Sequence, residues 1–244
     1  MIPSNFIPPT FNNEADSGKI TWQAPSNIAL VKYWGKKENQ IPANPSISFT
    51  LDTCRTTTTL EYSKKEIPGR ETDFDLYFEG KPKEDFKPKI ATFFKRIQKY
   101  SPYLLDYTLI INTENSFPHS SGIASSASGM SALALCVMSL EKELDPEMTE
   151  DFFRKKASFL ARLGSGSACR SINGNLVVWG MHKNIENSSD LYGVEYPGEV
   201  HPVFKNFQDT ILLVDKGTKQ VSSSVGHNLM HGHPFAGARF AQAH

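Results

Sequence analysis

Residues 120–140, "SSGIASSASGMSALALCVMSL", change from small polar residues into an alanine- and leucine-rich pattern without an intervening proline. Apolar residues recur close to helical spacing in the second half, which predicts a helix over about 123–142. Residues 107–112 precede it as a short run rich in β-branched residues, which predicts a strand. This order of strand, small-residue loop and helix leaves backbone N–H groups free at the start of the helix, where an anion such as phosphate can bind.

The same loop has a plainer interpretation, in which its hydroxyls serve the helix itself. Ser125 or Ser126 would then be the N-cap residue that accepts a hydrogen bond from the first turn. The loop is not a Walker A sequence, because no Gly-Lys-Ser/Thr follows it. Residues elsewhere in the chain have to decide between a helix cap and a phosphate site.

The bulk composition disfavours several classes of partner. Lysine plus arginine balances aspartate plus glutamate at 26 each, so no overall field favours nucleic acid or an acidic membrane surface. Three scattered cysteines without a CxxC pair disfavour a zinc site or a disulfide framework. The first 18 residues lack the pattern of a signal peptide, and no apolar run reaches the ~20 residues of a membrane span. We therefore expect a soluble, cytoplasmic protein.

Other parts of the chain indicate an α+β fold. Amphipathic helices are expected from near Pro88 and from near Thr149. Alternating or β-branched runs predict further strands at 46–51, 55–63, 74–80, 175–181 and 209–215. The first two of these strands are separated by a predicted short turn and are expected to form an antiparallel pair. Neighbouring strands with interspersed helices are typical of α+β proteins.

Two lysines stand inside the largely apolar stretch "APSNIALVKYWGKK", residues 24–37. Lys32 and Lys36 flank the tripeptide Tyr-Trp-Gly. Burying a lysine is costly unless a negative charge meets it. The alternative is that both extend to solvent, as most lysines do. The aromatic neighbours favour an anion-binding role.

A second small-residue loop occurs in "ARLGSGSACRS", residues 161–171, at the end of a predicted helix. Arg170 follows Ser165 and Ser167, and its planar guanidinium suits a carboxylate or a phosphate. A flexible linker is the alternative, but Ala-Cys-Arg leading directly into a strand is unusual for a linker. Two donor-rich loops and a lysine pair in a chain of zero net charge indicate that several phosphates bind together.

These motifs together resemble the diphosphomevalonate decarboxylase family of the GHMP kinase superfamily. The matching stretches are "APSNIALVKYWGKK", "FPHSSGIASSASG", "ARLGSGSACRS" and "VSSSVGH", in that order along the chain. The resemblance implies a GHMP-kinase-like two-domain α+β fold. Residues 20–204 would form the N-terminal ATP- and substrate-binding domain after a tail at 1–19, and residues 205–244 would begin the C-terminal domain.

The resemblance also implies a role for each motif residue. Lys32 would be the catalytic residue of this chain, stabilising the charge that develops at the reacting hydroxyl. The substrate-binding residues would be Tyr33, Lys36, Ser165, Ser167 and Arg170, with Arg170 on the substrate carboxylate. The ATP-binding residues would be Gly122, Ser125, Ser126 and Ser223.

The implied reaction is an ATP-dependent decarboxylation. ATP would phosphorylate the C3 hydroxyl of diphosphomevalonate, and loss of phosphate and carbon dioxide would give isopentenyl diphosphate, in the mevalonate pathway of isoprenoid synthesis. Mg²⁺ would bridge the nucleotide phosphates. The expected partners are thus ATP and a small-molecule substrate, and a homodimer is left open.

The sequence departs from the family pattern in one decisive place. The family's catalytic aspartate lies in an Asp-Ala-Gly-Pro-Asn-like motif of the C-terminal domain, and this sequence contains no such motif. Asp209 and Asp215 match nothing in it. We therefore expect a C-terminally truncated sequence that is inactive alone. Residues 119–121, His-Ser-Ser, stand where relatives tend to carry Thr-Ala-Ala, which affects the detail of the loop.

Two alternative functions stay open. A non-catalytic nucleotide-binding fragment would keep the loops and lack the base. A sibling enzyme would be a mevalonate or phosphomevalonate kinase or decarboxylase. His227, His231 and His233 have a spacing that could hold a metal, but no carboxylate accompanies them and Gly232 and Pro234 break the helix, so we expect no metal site there.

Overall fold

The computed structural model describes residues 1–118, 123–210, 212, 225–226, 229–230 and 232–244. Within them one sheet of seven strands packs against helices, which confirms the α+β prediction. The strands are β1 (Ser17–Val31), β2 (Ser46–Lys64), β3 (Asp73–Phe78), β4 (Lys81–Pro82), β5 (Tyr107–Asn115), β6 (Leu176–Trp179) and β7 (Val194–Glu195). The α-helices are α1 (Lys87–Ile97), α2 (Ser125–Leu144), α3 (Glu150–Gly164) and α4 (Ala236–Ala243).

The long strand β2 organises the sheet. β1 pairs antiparallel with it along nearly its whole length, from Ser17 opposite Ser63 to Val31 opposite Ile47. β5 and β6 share the other edge of β2, β5 beside its second half and β6 beside its first four residues. β3 lies parallel to β5, and β4 and β7 complete the two ends of the sheet.

The predicted antiparallel pairing of 46–51 with 55–63 is wrong, because both stretches belong to the single strand β2. Residues 52–55, Asp-Thr-Cys-Arg, contain no glycine or proline and continue in extended conformation. β1 follows the bend of β2 through register shifts at Pro25/Asn27 and Ala29/Val31. The real hairpin is therefore β1–β2, and its connection, residues 32–45, carries the Lys-Tyr-Trp-Gly-Lys motif.

The helix predictions and most strand predictions agree with the structure. α3 begins after Thr149, whose Oγ1 accepts a hydrogen bond from the Phe152 N–H at 3.3 Å. The strand predicted at 175–181 is β6, whereas the one predicted at 209–215 lies mostly outside the described residues and is not regular at Asp209 and Thr210. Across the described ranges, we find no helix with the length and apolarity required to cross a membrane.

Helix α2 lies on the sheet and forms the centre of the core. Alternate residues of β2, including Thr56, Thr58 and Leu60, are buried beneath it. The Cys136 thiol on α2 contacts the Thr58 carbonyl oxygen at 3.4 Å. Burial raises the pKa of Cys136 to about 12 and that of Cys169 also to about 12, whereas Cys54 on β2 is partly exposed.

The N-terminal segment is anchored in this core, although the sequence predicts a tail at 1–19. Phe6 is fully buried and its ring stacks on Phe159 of α3 with centroids 4.4 Å apart. The short 3₁₀ helix Pro3–Phe6 thus packs against the helical layer. The domain boundaries at 19/20 and 204/205 stay predictions.

One ion pair lies inside the helical layer. Lys156 Nζ on α3 is 2.6 Å from Glu141 Oε1 on α2, and both side chains are buried. Tyr103, which is also buried, donates a hydrogen bond to the nearby Val137 carbonyl oxygen. Such a pair is costly to break, because the remaining charge is left without a partner in a medium of low polarity.

We expect Glu141→Ala to lower the free energy of unfolding by about 3–5 kcal/mol, because it leaves the buried Lys156 ammonium group without its ion-pair partner. Urea unfolding followed by circular dichroism measures this loss. The control is Glu150→Ala, which breaks the exposed pairs of Glu150 with Arg154 and Lys142 and should cost less than about 1 kcal/mol. Equal losses in the two variants would contradict the expectation.

Candidate functional site

Helix α2 begins in a way that excludes the capping interpretation of its serines. Its N-cap residue is Ala124, which has no side-chain oxygen and adopts a left-handed backbone conformation with φ 56° and ψ 36°. Ser125 and Ser126 are the first two helical residues, so neither is the N-cap. The Ala127 N–H donates to the Ala124 carbonyl oxygen at 2.8 Å, and the N–H groups of Ser125 and Ser126, which have no acceptor earlier in the helix, can donate to a ligand.

A cleft of about 510 Å³ opens at this point and gathers most of the predicted site residues. Its lining includes seven of them: Lys32, Tyr33, Lys36, Ser126, Ser165, Ser167 and Arg170. Asn27, Gln40 and Lys89 add further polar groups. Ser125 lines the adjoining pocket, and Gly122 and Ser223 lie outside the described residues.

The hairpin connection is fixed by a buried asparagine. The Asn44 side chain accepts a hydrogen bond from the Trp34 N–H at 2.8 Å and donates one to the Lys32 carbonyl oxygen at 3.0 Å. Only 2% of Asn44 is exposed. Lys32 extends over the ring of Trp34, with Nζ 5.5 Å from the ring centroid. The loop therefore presents its lysines from a fixed backbone.

A buried arginine outside the cleft holds the same connection against α3. Arg162 donates hydrogen bonds to the carbonyl oxygens of Asn39 and Leu191. Asn39 and Gln40 both have positive φ, 53° and 60°. Side chains other than glycine rarely adopt this conformation, so tertiary contacts such as that of Arg162 must maintain it. Gln40 reaches the cleft as a result.

The second small-residue loop is a 3₁₀ helix, Gly166–Ser171, and not a loop that runs directly into a strand. Gly166 is required there, because a Cβ atom would lie 2.9 Å from the Trp179 ring. Ser165 Oγ lies 3.5 Å from Ser126 Oγ, so the two serine-containing segments meet in the cleft. The predicted linker alternative is therefore wrong.

Arg170 is the most deeply buried cation of the cleft, with 3% of its surface exposed. It donates hydrogen bonds to Ser46 Oγ and to Asn27 Oδ1, and its Nε has no partner among the described residues. Burial lowers the pKa of Arg170, but a guanidinium stays charged at neutral pH. A buried guanidinium with an N–H group that has no partner in the described residues suits a carboxylate or phosphate ligand.

Lys89 is a candidate site residue that the sequence motifs do not indicate. It stands in the first turn of α1, where a helix dipole disfavours a cation, and this position is the only signal in the sequence. Desolvation, followed by the charge of Lys36, lowers the pKa of Lys89. Desolvation, followed by the charge of Arg96, lowers the pKa of Lys36.

The charged side chains in the described lining of the cleft are all positive. Four of its described lining residues are cations, namely Lys32, Lys36, Lys89 and Arg170, and none is a carboxylate. Like charges at close range repel one another, most strongly where water is excluded. This arrangement favours anions, and above all ligands with several negative charges.

An apolar pocket of about 170 Å³ adjoins the cleft between α1, α2 and the sheet. Ser126 and Lys89 line both spaces, and Ser125 and Asn115 add polar groups at this pocket. Its apolar lining comprises Leu76, Phe78, Phe86, Ile90, Ile111, Met130 and Leu133. A ligand with phosphates in the cleft and a flat apolar group in the pocket would fit both.

A protein-family model matches the part of the chain that forms the cleft. The model of the diphosphomevalonate decarboxylase-like N-terminal domain matches residues 24–190. The chain belongs to this family. The matched range contains all the cleft residues named above, and the family assignment agrees with the sequence resemblance.

Curated relatives support the same assignment. The chain is 30% identical over 223 residues to the diphosphomevalonate decarboxylase of Bos taurus, covering 85% of this chain and 51% of that protein. It is 35% identical over 216 residues to that of Candida albicans, covering 83% and 56%. The chain spans about half the length of the curated relatives it matches.

Solved structures of the family share the fold. The mevalonate diphosphate decarboxylase of Legionella pneumophila aligns with a TM-score of 0.68 and 28% identity, over 93% of this chain and 67% of that one. The structure of MDDEF in complex with MVAPP, AMPPCP and magnesium aligns with a TM-score of 0.56 and 32% identity, over 74% and 50%.

Of the predicted histidine cluster, only His233 belongs to the described residues, so the expectation of no metal site there stays a prediction. His233 is exposed and its Nδ1 accepts a hydrogen bond from the Phe235 N–H, while residues 227 and 231 lie outside the described residues. No group of three histidine, cysteine, aspartate or glutamate side chains converges within the ranges that the structure describes.

We expect Lys36→Met and Lys89→Met each to weaken binding of inorganic diphosphate about tenfold, because each removes one charge from the cleft at little change in volume. Isothermal titration calorimetry on the 244-residue chain measures the dissociation constants. Lys155→Met, which breaks only the surface pair with Asp151, is the control and should leave them unchanged. Unaltered binding in both cleft variants would exclude these lysines from the anion site.

The lowered pKa values of Lys36 and Lys89 also predict a pH dependence. An ammonium group binds the anion only below its pKa, so affinity should fall as pH rises, before the 10.5 of an ordinary lysine is reached. Titrations at several pH values compare the unaltered chain with a Lys36→Met/Lys89→Met double variant. The ligand's own titration is common to both, so parallel curves would contradict the prediction.

Proposed function

We propose that this chain supplies the ATP- and substrate-binding half of an ATP-dependent diphosphomevalonate decarboxylase. The observation that carries the proposal is the cleft in which four cations and two serine-containing segments converge, and whose described lining holds no carboxylate. Such a cleft suits a diphosphate group beside the phosphates of a nucleoside triphosphate. The family assignment and the complex of MDDEF with MVAPP and AMPPCP support this choice over other polyanions.

ATP would bind at the start of α2. The N–H groups of the first turn and the hydroxyls of Ser125 and Ser126 would contact its phosphates. The adjoining apolar pocket would take the base, since it begins at these same serines. Gly122 and Ser223 are proposed as further ATP contacts from the sequence resemblance alone.

The substrate would occupy the remainder of the cleft. Its diphosphate would lie among Lys36, Lys89 and Tyr33, with Ser165 and Ser167 donating further hydrogen bonds. Its carboxylate would bind Arg170, whose guanidinium is fixed and only partly used by the protein. Lys32 would lie at the reacting hydroxyl.

Magnesium fits this donor set through the nucleotide. Mg²⁺ prefers oxygen ligands and usually keeps phosphates and waters around it. The cleft's described lining offers serine hydroxyls and no carboxylate, so Ser125 and Ser126 would hold the ion together with phosphate oxygens. When bound, the ion neutralises phosphate charge.

The reaction would proceed by phosphoryl transfer and fragmentation. The C3 oxygen of the substrate takes the terminal phosphoryl group of ATP, and ADP leaves. The C3–O bond then breaks as phosphate departs, and the electrons of the C–CO₂⁻ bond form the new double bond and release carbon dioxide. Arg170 orients the carboxylate before this step, and Lys32 stabilises negative charge at the C3 oxygen.

The reaction also needs a group that accepts the hydroxyl proton. No Asp-Ala-Gly-Pro-Asn-like motif occurs in the sequence, and the described cleft lining holds no carboxylate. The activity is therefore proposed for the whole protein. Free thiols at Cys54, Cys136 and Cys169 are consistent with a cytoplasmic location.

The main test compares the 244-residue chain with the product of the complete reading frame. We expect both to bind ATP and diphosphomevalonate in calorimetry, and only the longer protein to release carbon dioxide at a substantial rate. A general base contributes typically 10²–10⁴-fold, so the shorter chain should be slower by at least this factor.

The other outcomes decide among the alternatives. Equal decarboxylation by both proteins would show that a residue within 1–244 is the base. Binding of ATP without diphosphomevalonate, in both proteins, would favour a non-catalytic nucleotide-binding module. Phosphorylation of mevalonate or its monophosphate in preference to diphosphomevalonate would identify a sibling enzyme.

A further inference from the structure

Trp179 is a fully buried residue that contacts two predicted ligand-binding side chains. It is the last residue of β6, and its Nε1 donates a hydrogen bond to the Asp190 carbonyl oxygen at 3.0 Å. The guanidinium carbon of Arg170 lies 5.9 Å from the Trp179 ring centroid. The Tyr33 ring packs edge-on against Trp179 with centroids 5.0 Å apart and planes at 67°.

A hydrogen-bond relay connects the Trp179 backbone to the same arginine. Ser46 lies opposite Trp179 in the β2–β6 ladder, and its hydroxyl donates to the Trp179 carbonyl oxygen at 3.2 Å. A serine hydroxyl has only one hydrogen to donate. The Ser46 oxygen is thereby left as an acceptor, which is the role that the Arg170 N–H requires.

The rings also compensate for the burial of the arginine charge. Arg170 lies within 6 Å of two ring centroids, Tyr33 at 5.7 Å and Trp179 at 5.9 Å. Described carboxylates are absent from its hydrogen-bond partners, which are Ser46 and Asn27. Aromatic faces attract a cation more strongly when water is excluded, and indole is the strongest of them.

We propose that Trp179 is a positioning residue, which aims the Arg170 guanidinium into the cleft and so sets the preference for ligands that carry a carboxylate. The inference rests on the proposed function, because it takes the carboxylate to be the group that Arg170 binds. Trp179 itself touches no ligand. Its ring holds the guanidinium in place. Its carbonyl oxygen accepts the Ser46 hydroxyl hydrogen, so the Ser46 oxygen accepts the hydrogen bond from Arg170.

The test uses two ligands that differ at the carboxylate. Diphosphomevalonate carries a carboxylate and a diphosphate, whereas isopentenyl diphosphate carries only the diphosphate. We expect the unaltered 244-residue chain to bind diphosphomevalonate more tightly. Trp179→Leu should weaken diphosphomevalonate binding about tenfold and leave isopentenyl diphosphate within about twofold. Trp179→Phe keeps an aromatic face and should retain most of the preference.

Two further variants serve as references. Arg170→Lys removes the planar fork and should abolish the preference directly. Trp22→Leu is the matched control, because Trp22 also has an arginine over its ring, Arg154 at 5.7 Å, but lies outside the cleft lining. It should change neither affinity. Calorimetry is performed at a temperature at which circular dichroism shows each variant to be folded.

The outcomes separate the inference from the proposed function. An unaltered chain that binds both ligands equally would overturn the carboxylate role of Arg170 and the inference with it. A clear preference that persists in Trp179→Leu would overturn the inference alone, as would an equal loss for both ligands. Should Trp179→Leu fail to fold, Ser46→Ala removes the relay and must reduce the same preference for the inference to stand.

Discussion

A guanidinium that is withdrawn from water keeps its proton, so its N–H groups must find acceptors within the protein. Arg170 meets this requirement in part, with partners from three parts of the sheet, namely Asn27 on β1, Ser46 on β2 and the Trp179 ring on β6, while its Nε has no partner among the described residues. These three strands are neighbours because β2 is long enough to pair with β1 on one edge and with β6 on the other. The cleft therefore depends on the formation of the sheet. The partners that the buried Arg170 guanidinium requires bring β1, β2 and β6 together at one side of the cleft.

Repulsion among the cations of the cleft has an energetic cost that an anionic ligand relieves. Desolvation lowers the pKa of both Lys36 and Lys89, and the charge of Arg96 adds to this effect at Lys36 and that of Lys36 at Lys89. A multiply charged anion reverses this cost, so ligand binding also stabilises the fold by mass action. The chain has no net charge overall, so the four cations of the cleft provide a local attraction for anions.

Local signals in the sequence predicted α1, α2 and α3 and the small-residue segments around Ser126 and Ser165, because helix periodicity and loop composition depend on near neighbours. Features set by distant contacts were missed. Sequence patterns divide β2 into two strands, because its full extent is set by pairing with strands that lie far along the chain, β1, β5 and β6. Phe6 was assigned to a tail because its partner Phe159 lies far along the chain. Lys89 and Trp179 belong to no motif and become site residues only through packing.

The three cysteines differ in a way that has a practical consequence. Thiol reagents attack the thiolate, and burial keeps Cys136 and Cys169 protonated and out of reach, each with a pKa of about 12. Cys54 is partly exposed where β2 bends, beside a surface cleft formed with residues that include Phe204 and Phe207. The native chain thus carries one addressable attachment point for a fluorophore or spin label, at the junction between the two halves of its longest strand.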